Sequence, residues 1–257
     1  MCNDFFIYII VSLMDSVKVL KTYVSVTSID EVSDILQTPD SKSVAICNAN
    51  TLVRCYKNKI LMNKINNFDI KTTDGFPVAK ASNVLYRNNQ KRVDGYNVFI
   101  QTIEKGLQNE LSHFFYGNSE EITKLMIDNL QQKYKDINVA GYYCPPIDNF
   151  EKLGKDEKIN EIISLNPDVI WVSLGFPKQE EFIDYVKKNH QINSNLIGIG
   201  AVFEWTAGTK VKAPELLANF GFEWIFRLLQ EPRRLFKRYF VDNFLFIIYF
   251  TKQFLRI

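Results

Sequence analysis

Two polar side chains stand where α/β proteins usually place catalytic and binding groups. Asn48 and Asp74 each follow a short run rich in β-branched and apolar residues, which predicts that each lies at the end of a buried strand. Ligands bind outside the carboxyl ends of the strands in parallel sheets. The carboxylate of Asp74, which precedes Gly75, can act as a general base on a hydroxyl, or it can cap the next helix in an ordinary Asp-Gly turn. The spacing leaves both roles open.

A third strand end is marked by Gly175–Glu180, with the sequence GFPKQE. The glycine permits close approach of the backbone to a ligand, and the N-terminus of the following helix offers N–H groups to a diphosphate. We therefore assign Gly175, Lys178 and Gln179 to substrate binding, with Gln179 bonding a sugar or a uracil edge. The alternative is an ordinary strand–helix turn with a proline at the first helical position.

Another carboxylate, Glu204, follows the last glycine-containing apolar run and lies between Phe203 and Trp205. Such neighbours would partly desolvate the acid, which suits proton transfer in a pocket. The alternative is a surface ion pair with Lys210 or Lys212.

Metal and cofactor motifs are missing from the sequence. The four cysteines form no CxxC pair, and with two histidines no zinc-ligand spacing occurs. Neither a Walker lysine motif nor GxGxxG is present, and no DxD pair is available to hold the metal of a nucleotide sugar. Neither a P-loop nucleotide site nor a nicotinamide site is therefore expected, whereas metal binding by Asp74 and Glu204 together stays open.

The last fifth of the chain is basic and aromatic. Residues 205–257 contain nine Lys or Arg and four Asp or Glu, a net charge of +5, although the whole chain carries only +2. A basic amphipathic helix is typical of binding to an anionic membrane surface, and arginine binds phosphate through two hydrogen bonds. We assign phosphate or lipid binding to Arg227, Arg233, Arg234 and Arg238. The alternative is a helix packed on the core with a solvated basic face. Nucleic-acid binding is disfavoured because the rest of the chain is nearly neutral.

Alternating strands and helices must position these residues. Strands are expected over residues 18–27, 43–47, 68–72, 112–116, 137–143, 168–174 and 196–202. Helices separate most of them, including one over residues 52–64, and this alternation predicts a parallel α/β sheet. The expected fold is a Rossmann-like parallel sheet of about six strands flanked by helices, with a C-terminal helical appendage that docks on a membrane.

Three segments follow from this pattern. Residues 1–17 are expected to form an N-terminal extension, whose apolar run at residues 5–13 is too short to span a bilayer. Residues 18–207 form the catalytic core, and residues 208–257 form the basic, aromatic appendage.

The motifs of the chain resemble those of the WecG/TagA/CpsF family of bacterial glycosyltransferases, from about residue 21 to residue 238. The resemblance is carried by Asn48, Asp74-Gly75, Arg92-Val93-Asp94-Gly95, Gly175-Phe176-Pro177-Lys178-Gln179-Glu180, Ala213-Pro214, Gly221-Phe222-Glu223-Trp224, Arg227-Leu228 and Pro232-Arg233-Arg234.

The resemblance implies an inverting transfer of an N-acetylhexosamine-type sugar from a UDP-sugar to a polyprenyl-diphosphate-linked sugar in the synthesis of a cell-surface polysaccharide. Asp74 would be the general base, and Asn48, Arg92 and Gln179 would line the pocket. The C-terminal arginines would bind the lipid diphosphate or the leaving UDP. The enzyme would be independent of metal and peripheral on the inner, cytoplasmic face of the bacterial plasma membrane. A homo-oligomer remains open.

Three positions depart from the family pattern. Ile46 replaces a common threonine and loses a hydroxyl, Lys212 replaces a common arginine, and Glu204 replaces the usual aspartate. The extra methylene of Glu204 moves its carboxylate, so its role or the donor sugar differs.

Two other functions compete with sugar transfer. A hydrolase that uses Asp74 and Glu204 as a carboxylate pair would release free sugar from the UDP-sugar without a lipid acceptor. A scaffold built on the basic, aromatic segment would bind membranes without turning over UDP-sugars.

Overall fold

The computed structural model describes residues 14–146 and 156–257, so the apolar run at residues 5–13 lies outside the described residues. Six strands form one parallel sheet in the spatial order β4-β3-β8-β7-β5-β6. They are β3 (Ser43–Cys47), β4 (Ile70–Thr73), β5 (Ser112–Gly117), β6 (Asn138–Tyr143), β7 (Val169–Ser173) and β8 (Asn195–Gly198). The predicted α/β class is therefore confirmed.

The strand predicted over residues 18–27 is instead an antiparallel hairpin of β1 (Ser16–Val19) and β2 (Thr22–Ser25). The chain turns at Leu20, which has a φ of 58° and is buried. The prediction was wrong because the buried Leu20 continues the apolar alternation, and the turn Leu20-Lys21 contains no glycine, proline or asparagine to mark it. Residues 16 and 17, which were placed in the N-terminal extension, belong to β1.

Helices cover both faces of the sheet. They are α1 (Ile29–Ile35), α2 (Ala49–Lys57), α3 (Lys59–Asn66), α4 (Phe76–Tyr86), α5 (Gly95–Gly106), α6 (Glu120–Lys133), α7 (Asp156–Leu165), α8 (Lys178–Asn189), α9 (Val202–Thr206), α10 (Glu215–Asn219), α11 (Glu223–Gln230), α12 (Pro232–Lys237) and α13 (Asn243–Leu255), with short 3-10 and π turns at Leu107–Asn109 and Arg238–Asp242. The single helix predicted over residues 52–64 is broken at Asn58, whose side chain accepts hydrogen bonds from the first N–H groups of α3.

Apolar side chains pack on both faces of the sheet. In β7, Ile170 and Val172 join the cluster on one face, whereas Trp171 joins the cluster on the other. All five residues of this strand are buried. Strands buried on both faces leave their carboxyl ends as the place where polar groups meet solvent.

The last helix, α13, packs on the core. Tyr249 stacks on Tyr56 of α2 with ring centroids 4.0 Å apart, and Phe246 is buried. The side-chain oxygen of Gln253 accepts a hydrogen bond from the N–H of Leu20 at 2.6 Å, which ties α13 to the β1–β2 hairpin. In the part of the chain that is described, no helix combines the length and the apolar character needed to cross a membrane.

Candidate active site

A pocket with a volume of about 440 Å³ opens at the carboxyl ends of β3, β4, β7 and β8. Its walls include eight of the residues predicted from the sequence, which are Asn48, Asp74, Arg92, Gly175, Lys178, Gln179, Glu204 and Arg227. Arg233 is exposed and does not line this pocket, and the side chains of Arg234 and Arg238 lie outside the described part of the structure. The structure thus brings together residues that are up to 179 positions apart in the chain.

Asp74 directly follows β4, and its N–H donates to the carbonyl of Cys47 at the end of β3 (2.8 Å). The next residue, Gly75, has a φ of 85° and takes the capping position of α4, where no side chain caps the helix. Asp74 therefore does not cap α4. The carboxylate of Asp74 makes no hydrogen bond to any described residue and lines the pocket, as expected of a general base that acts on a substrate hydroxyl.

Two arginines and two further acids surround Asp74. The guanidinium of Arg92 donates to Asp94 at 2.9 Å and to Glu223 of α11 at 2.7 Å. Arg227, one turn further along α11, lies 3.8 Å from the same glutamate. With Asp74 included, three carboxylates and two guanidinium groups lie together, and Lys212 adds a positive charge that acts on Asp94.

Burial and these neighbouring charges change the pKa of Asp74. Burial and the charge of Glu223 raise the pKa of Asp74 to about 7, against the lowering effect of Arg92. Burial also acts to raise the pKa of Asp94, but the charge and hydrogen bond of Arg92 outweigh it and hold this pKa below its ordinary value. Two neighbouring acids with separated pKa values are typical of acid–base sites, and here Asp74 is the one that exchanges a proton near neutral pH.

Asn48 and Gln179 both line the pocket and both make hydrogen bonds within the protein. The side-chain oxygen of Asn48 caps α2 by accepting from the N–H of Thr51 at 3.2 Å. The amide of Gln179 donates to Glu180 at 2.9 Å and accepts from the N–H of Gly200 at 3.1 Å. The bond from Gly200 to Gln179 holds the loop after β8 in place. The binding of a sugar or uracil by Gln179 stays a prediction.

The segment Gly175–Glu180 leads from β7 into α8 beside the pocket. Gly175 has a φ of 73°, a left-handed conformation that favours glycine, and the Phe176–Pro177 peptide bond is cis. The helix begins at Lys178, and no side chain caps its N-terminus. Gly175 and Lys178 line the pocket, so the uncapped end of α8 is available to an anionic group there.

Glu204 does not follow a strand directly. The predicted strand 196–202 ends at Gly198, the chain turns at Gly200 with a φ of 58°, and Glu204 lies in the short helix α9. The glycines that suggested a continuous strand serve the turn instead. Glu204 lines the pocket, and it is paired with Lys210 at 2.7 Å, as the ion-pair alternative required.

The sequence alone did not single out the acids Asp94 and Glu223 or the aromatic residues Trp205 and Trp224. Both acids lie in the motifs that the chain shares with the family. Asp94 is two residues from Arg92 and Glu223 is four residues from Arg227, and acids this close to arginines in the sequence are typical of ion pairs. The side chain of Arg227 lies over the ring of Trp205, at 5.3 Å from its centroid, so the indole helps to place this guanidinium.

A second pocket, of about 80 Å³, adjoins the first. The two share Asn48, Asp74, Arg92, Glu223 and Arg227. The remaining walls of the smaller pocket are mostly apolar or aromatic and include Phe76, Pro77, Ala218, Trp224 and Tyr239. Asp74 therefore lies at the junction of the two pockets.

Comparisons with known proteins identify the family of the chain. Residues 17–257 match the model of the glycosyl transferase WecG/TagA/CpsF family. A protein of Bacillus spizizenii is 30% identical over 171 residues, which cover 66% of this chain and 64% of the relative. A protein of Bacillus subtilis is 28% identical over 162 residues (63% and 60%), and one of Staphylococcus aureus is 29% identical over 171 residues (66% and 65%).

All three relatives are named N-acetylglucosaminyldiphosphoundecaprenol N-acetyl-beta-D-mannosaminyltransferase. The chain spans less than two thirds of the length of each of them. The family model, in contrast, matches the chain from residue 17 to its last residue. The chain therefore belongs to the WecG/TagA/CpsF family of glycosyl transferases.

Proposed function

We propose that the protein transfers an N-acetylhexosaminyl group from a UDP-sugar to a hydroxyl of a polyprenyl-diphosphate-linked sugar. The observation that carries this proposal is the position of Asp74, a carboxylate with a pKa near neutrality at the junction of two pockets. The names of the relatives specify N-acetylmannosamine as the transferred sugar and N-acetylglucosaminyldiphosphoundecaprenol as the acceptor. We take these as the first substrates to test.

The larger pocket suits the donor. Its volume lies in the range of small-molecule sites, and three positive features meet in it. These are the uncapped N-terminus of α8, the guanidinium of Arg92 and the guanidinium of Arg227. A diphosphate placed among them would be stabilised as it becomes the leaving group.

The smaller pocket suits the acceptor. Phe76, Trp224 and Tyr239 provide aromatic walls of the kind on which the apolar face of a sugar ring or a prenyl chain packs. Asp74 borders this pocket as well, so an acceptor hydroxyl bound here would lie between the base and the donor. That arrangement favours attack on the donor from the side opposite the diphosphate.

The reaction follows from these positions. The acceptor hydroxyl oxygen forms a bond to the anomeric carbon while the bond from that carbon to the phosphate oxygen breaks. The hydroxyl proton passes to Asp74, and UDP leaves with the electron pair of the broken bond. Attack opposite the leaving group inverts the configuration at the anomeric carbon. Arg92 and Arg227 offset the negative charge that develops on the diphosphate.

We also propose that the C-terminal segment rests on an anionic membrane surface, on the cytoplasmic face, where a polyprenyl diphosphate would present its sugar. Its helices expose large apolar side chains, each 53–78% exposed, which are Leu216, Phe220, Leu229, Phe236, Phe240, Phe244 and Ile247. Exposed apolar surface of this extent marks an interaction site, and the arginines of α12 add the charge that anionic lipids attract.

The direct test supplies the protein with UDP-N-acetylmannosamine, with or without N-acetylglucosaminyldiphosphoundecaprenol, and follows UDP and the lipid-linked product. We expect UDP release to require the acceptor and the product to carry an inverted anomeric configuration by NMR. UDP-N-acetylglucosamine serves as the matched donor. Transfer of neither sugar would remove the proposed substrates.

The same assay separates the two rival functions. A hydrolase would release free sugar without the acceptor, and a scaffold would bind vesicles but turn over no donor. The pairing of Glu204 with Lys210 disfavours the hydrolase, because it engages the second carboxylate. Glu204→Gln is therefore expected to retain most of the transfer activity.

We expect the reaction to be independent of metal. No group of three or more potential metal ligands comes together in residues 14–146 and 156–257. The expectation is tested by adding EDTA to the transfer assay, with Mg²⁺ re-addition as the control. A loss of activity that Mg²⁺ restores would overturn it.

A further inference from the structure

Glu223 joins the C-terminal segment to the candidate base. It is the first residue of α11, a helix in which no residue is fully buried. Its carboxylate nevertheless reaches across 131 positions of sequence to Arg92, whose side chain is only 12% exposed. The ion pair thus fixes a helix with few buried contacts to the edge of the sheet where Asp74 lies.

The same ion pair decides which acids Arg92 contacts. The two terminal nitrogens of its guanidinium are taken up by Glu223 and Asp94. The carboxylate of Asp74 makes no hydrogen bond to the described residues, although the Arg92 charge acts on it. Without Glu223, one terminal nitrogen would be free to pair with Asp74, which lines the same two pockets as Arg92 and whose charge acts on it. A carboxylate that is paired with arginine holds its proton less tightly and is a weaker base.

We propose that Glu223 is a positioning residue for Asp74. Glu223 holds Arg92 away from the Asp74 carboxylate, so the strength of Asp74 as a base depends on the docking of α11. This inference rests on the proposed role of Asp74 as the general base. It assigns to the C-terminal segment an effect on the chemistry itself, in addition to any contact with the acceptor or the membrane.

The charges around Asp74 support this assignment. Apart from burial, Glu223 and Asp94 raise the pKa of Asp74, whereas Arg92 and Arg227 lower it. Loss of Glu223 removes a raising charge and also releases Arg92, so both effects lower the pKa. The other charged residues that line the larger pocket are Lys178, Glu180, Glu204 and Lys212.

The first test is the pH profile of kcat/KM in the transfer assay. We expect wild-type activity to rise with pH through about 7, as Asp74 loses its proton. In Glu223→Gln, the midpoint of this rise should move about one pH unit lower or further, and the plateau rate should fall about 3- to 10-fold because the base is weaker. Glu223→Asp keeps the charge and should restore most of both values.

The matched control is Glu215→Gln, which removes one negative charge from an exposed position of the same segment. It should leave the profile unchanged. If Glu223→Gln loses activity equally at every pH with an unmoved midpoint, Glu223 does not act through Asp74 and the inference is wrong. Thermal unfolding of each variant, with Gln matched to Glu in size, checks that the fold is kept.

A second readout does not depend on turnover. Carbon-13 NMR of carboxyl-labelled aspartate gives the titration of Asp74, and Asp74→Asn identifies its signal. The signal should titrate near pH 7 in the wild type and lower in Glu223→Gln. An unchanged titration would overturn the inference. A shifted titration in a protein that transfers no sugar would instead uphold the coupling and reject the proposed function.

Discussion

The floor of the large pocket and the wall opposite it are built in different ways. The floor consists of residues at strand ends, where Asp74 follows Thr72 and Thr73, both completely buried. The wall includes α11, where no residue is buried and Leu229 is 78% exposed. The candidate base is thus held by the sheet, whereas its charged partners Glu223 and Arg227 come from a segment with little buried surface. The sheet supplies the position of Asp74, whereas its charge balance comes from both parts, Arg92 and Asp94 of the core and Glu223 and Arg227 of α11.

A similar contrast divides the C-terminal segment itself. The helices α10 and α11 contribute Ala218, Glu223, Trp224 and Arg227 to the walls of the pockets, whereas α13 is anchored on α2 and the β1–β2 hairpin. The sequence boundary at residue 208 separates a basic region from a neutral one. The packing ties α13 to the core through Phe246, Tyr249 and Gln253, so this part of the basic segment belongs with the core.

The largest effect is expected at the floor. Asp74→Asn keeps the size of the side chain but removes the proton acceptor, and transfer should fall about 10³-fold. The measurement is the rate of lipid-linked product formation, with circular dichroism as the check on folding. Near-normal transfer by a folded Asp74→Asn protein would remove this residue as the base.

The wall should show a smaller effect on chemistry. Arg227→Ala removes a guanidinium that lines both pockets, and we expect kcat/KM to fall about 10²-fold, by loss of charge stabilisation in the transition state. Arg256→Ala, at the exposed position that directly follows α13, is the matched control. A soluble acceptor analogue separates this effect from membrane binding. Equal rates for the two variants would mean that Arg227 does not stabilise the transition state.

Two phenylalanines of α13 separate the packing of this helix on the core from its proposed contact with the membrane. Phe246 is 4% exposed and Phe244 is 63% exposed. Phe246→Ala should lower the free energy of unfolding by about 3 kcal/mol, because it empties a packed site. Phe244→Ala should change stability by less than about 0.5 kcal/mol but weaken sedimentation with anionic vesicles.

Urea unfolding measures the first effect and a vesicle pull-down the second. The reverse pattern, with Phe244→Ala destabilising and Phe246→Ala affecting only vesicles, would show that α13 packs differently from the structure. Unchanged vesicle binding by Phe244→Ala would remove this part of the surface from the membrane contact.

Much of the floor could be predicted from the sequence, because it depends on local signals. Buried strands read as apolar runs, and polar residues after them mark the carboxyl edge, so Asn48, Asp74 and Gly175 were placed correctly at strand ends. The β1–β2 hairpin was missed because Leu20 is buried at its turn, and Glu204 was placed after a strand because glycines suggested that β8 continued.

The wall could not be predicted in the same way. The ion pair of Arg92 and Glu223 joins residues 131 positions apart, and nothing in either local sequence specifies the other. Whether Asp74 would cap α4 or face the pocket depended on Gly75, which takes the capping position with its positive φ. Contacts between elements that are distant in the sequence determine these features. The pKa of Asp74 depends on the same contacts and could therefore not be predicted from the sequence.

The smallest expected effect is the contribution of Asp74, on the floor of the pocket, to the pH dependence of the free energy of unfolding. The folded-state pKa of Asp74, about 7, lies above that of an unfolded aspartate near 3.8. The native state therefore binds the proton more tightly. The stability that this proton contributes is fully present below about pH 4 and is lost progressively as pH rises through about 7.

Asp74→Asn resembles the protonated residue at every pH, so it should match the wild type in acid and exceed it in base. Because the carboxylate borders a solvent-filled pocket, we expect an advantage of about 1–2 kcal/mol at pH 8, or a rise in Tm of roughly 3–6 °C. At pH 4.5 the difference should be much smaller. Scanning calorimetry at the two pH values measures it, with Asp136→Asn, on the loop before β6, as the control. If the Tm of Asp74→Asn differs from that of the wild type by the same amount at both pH values, ionisation of Asp74 does not destabilise the native state. Asp74 would then be an ordinary ionised acid at neutral pH.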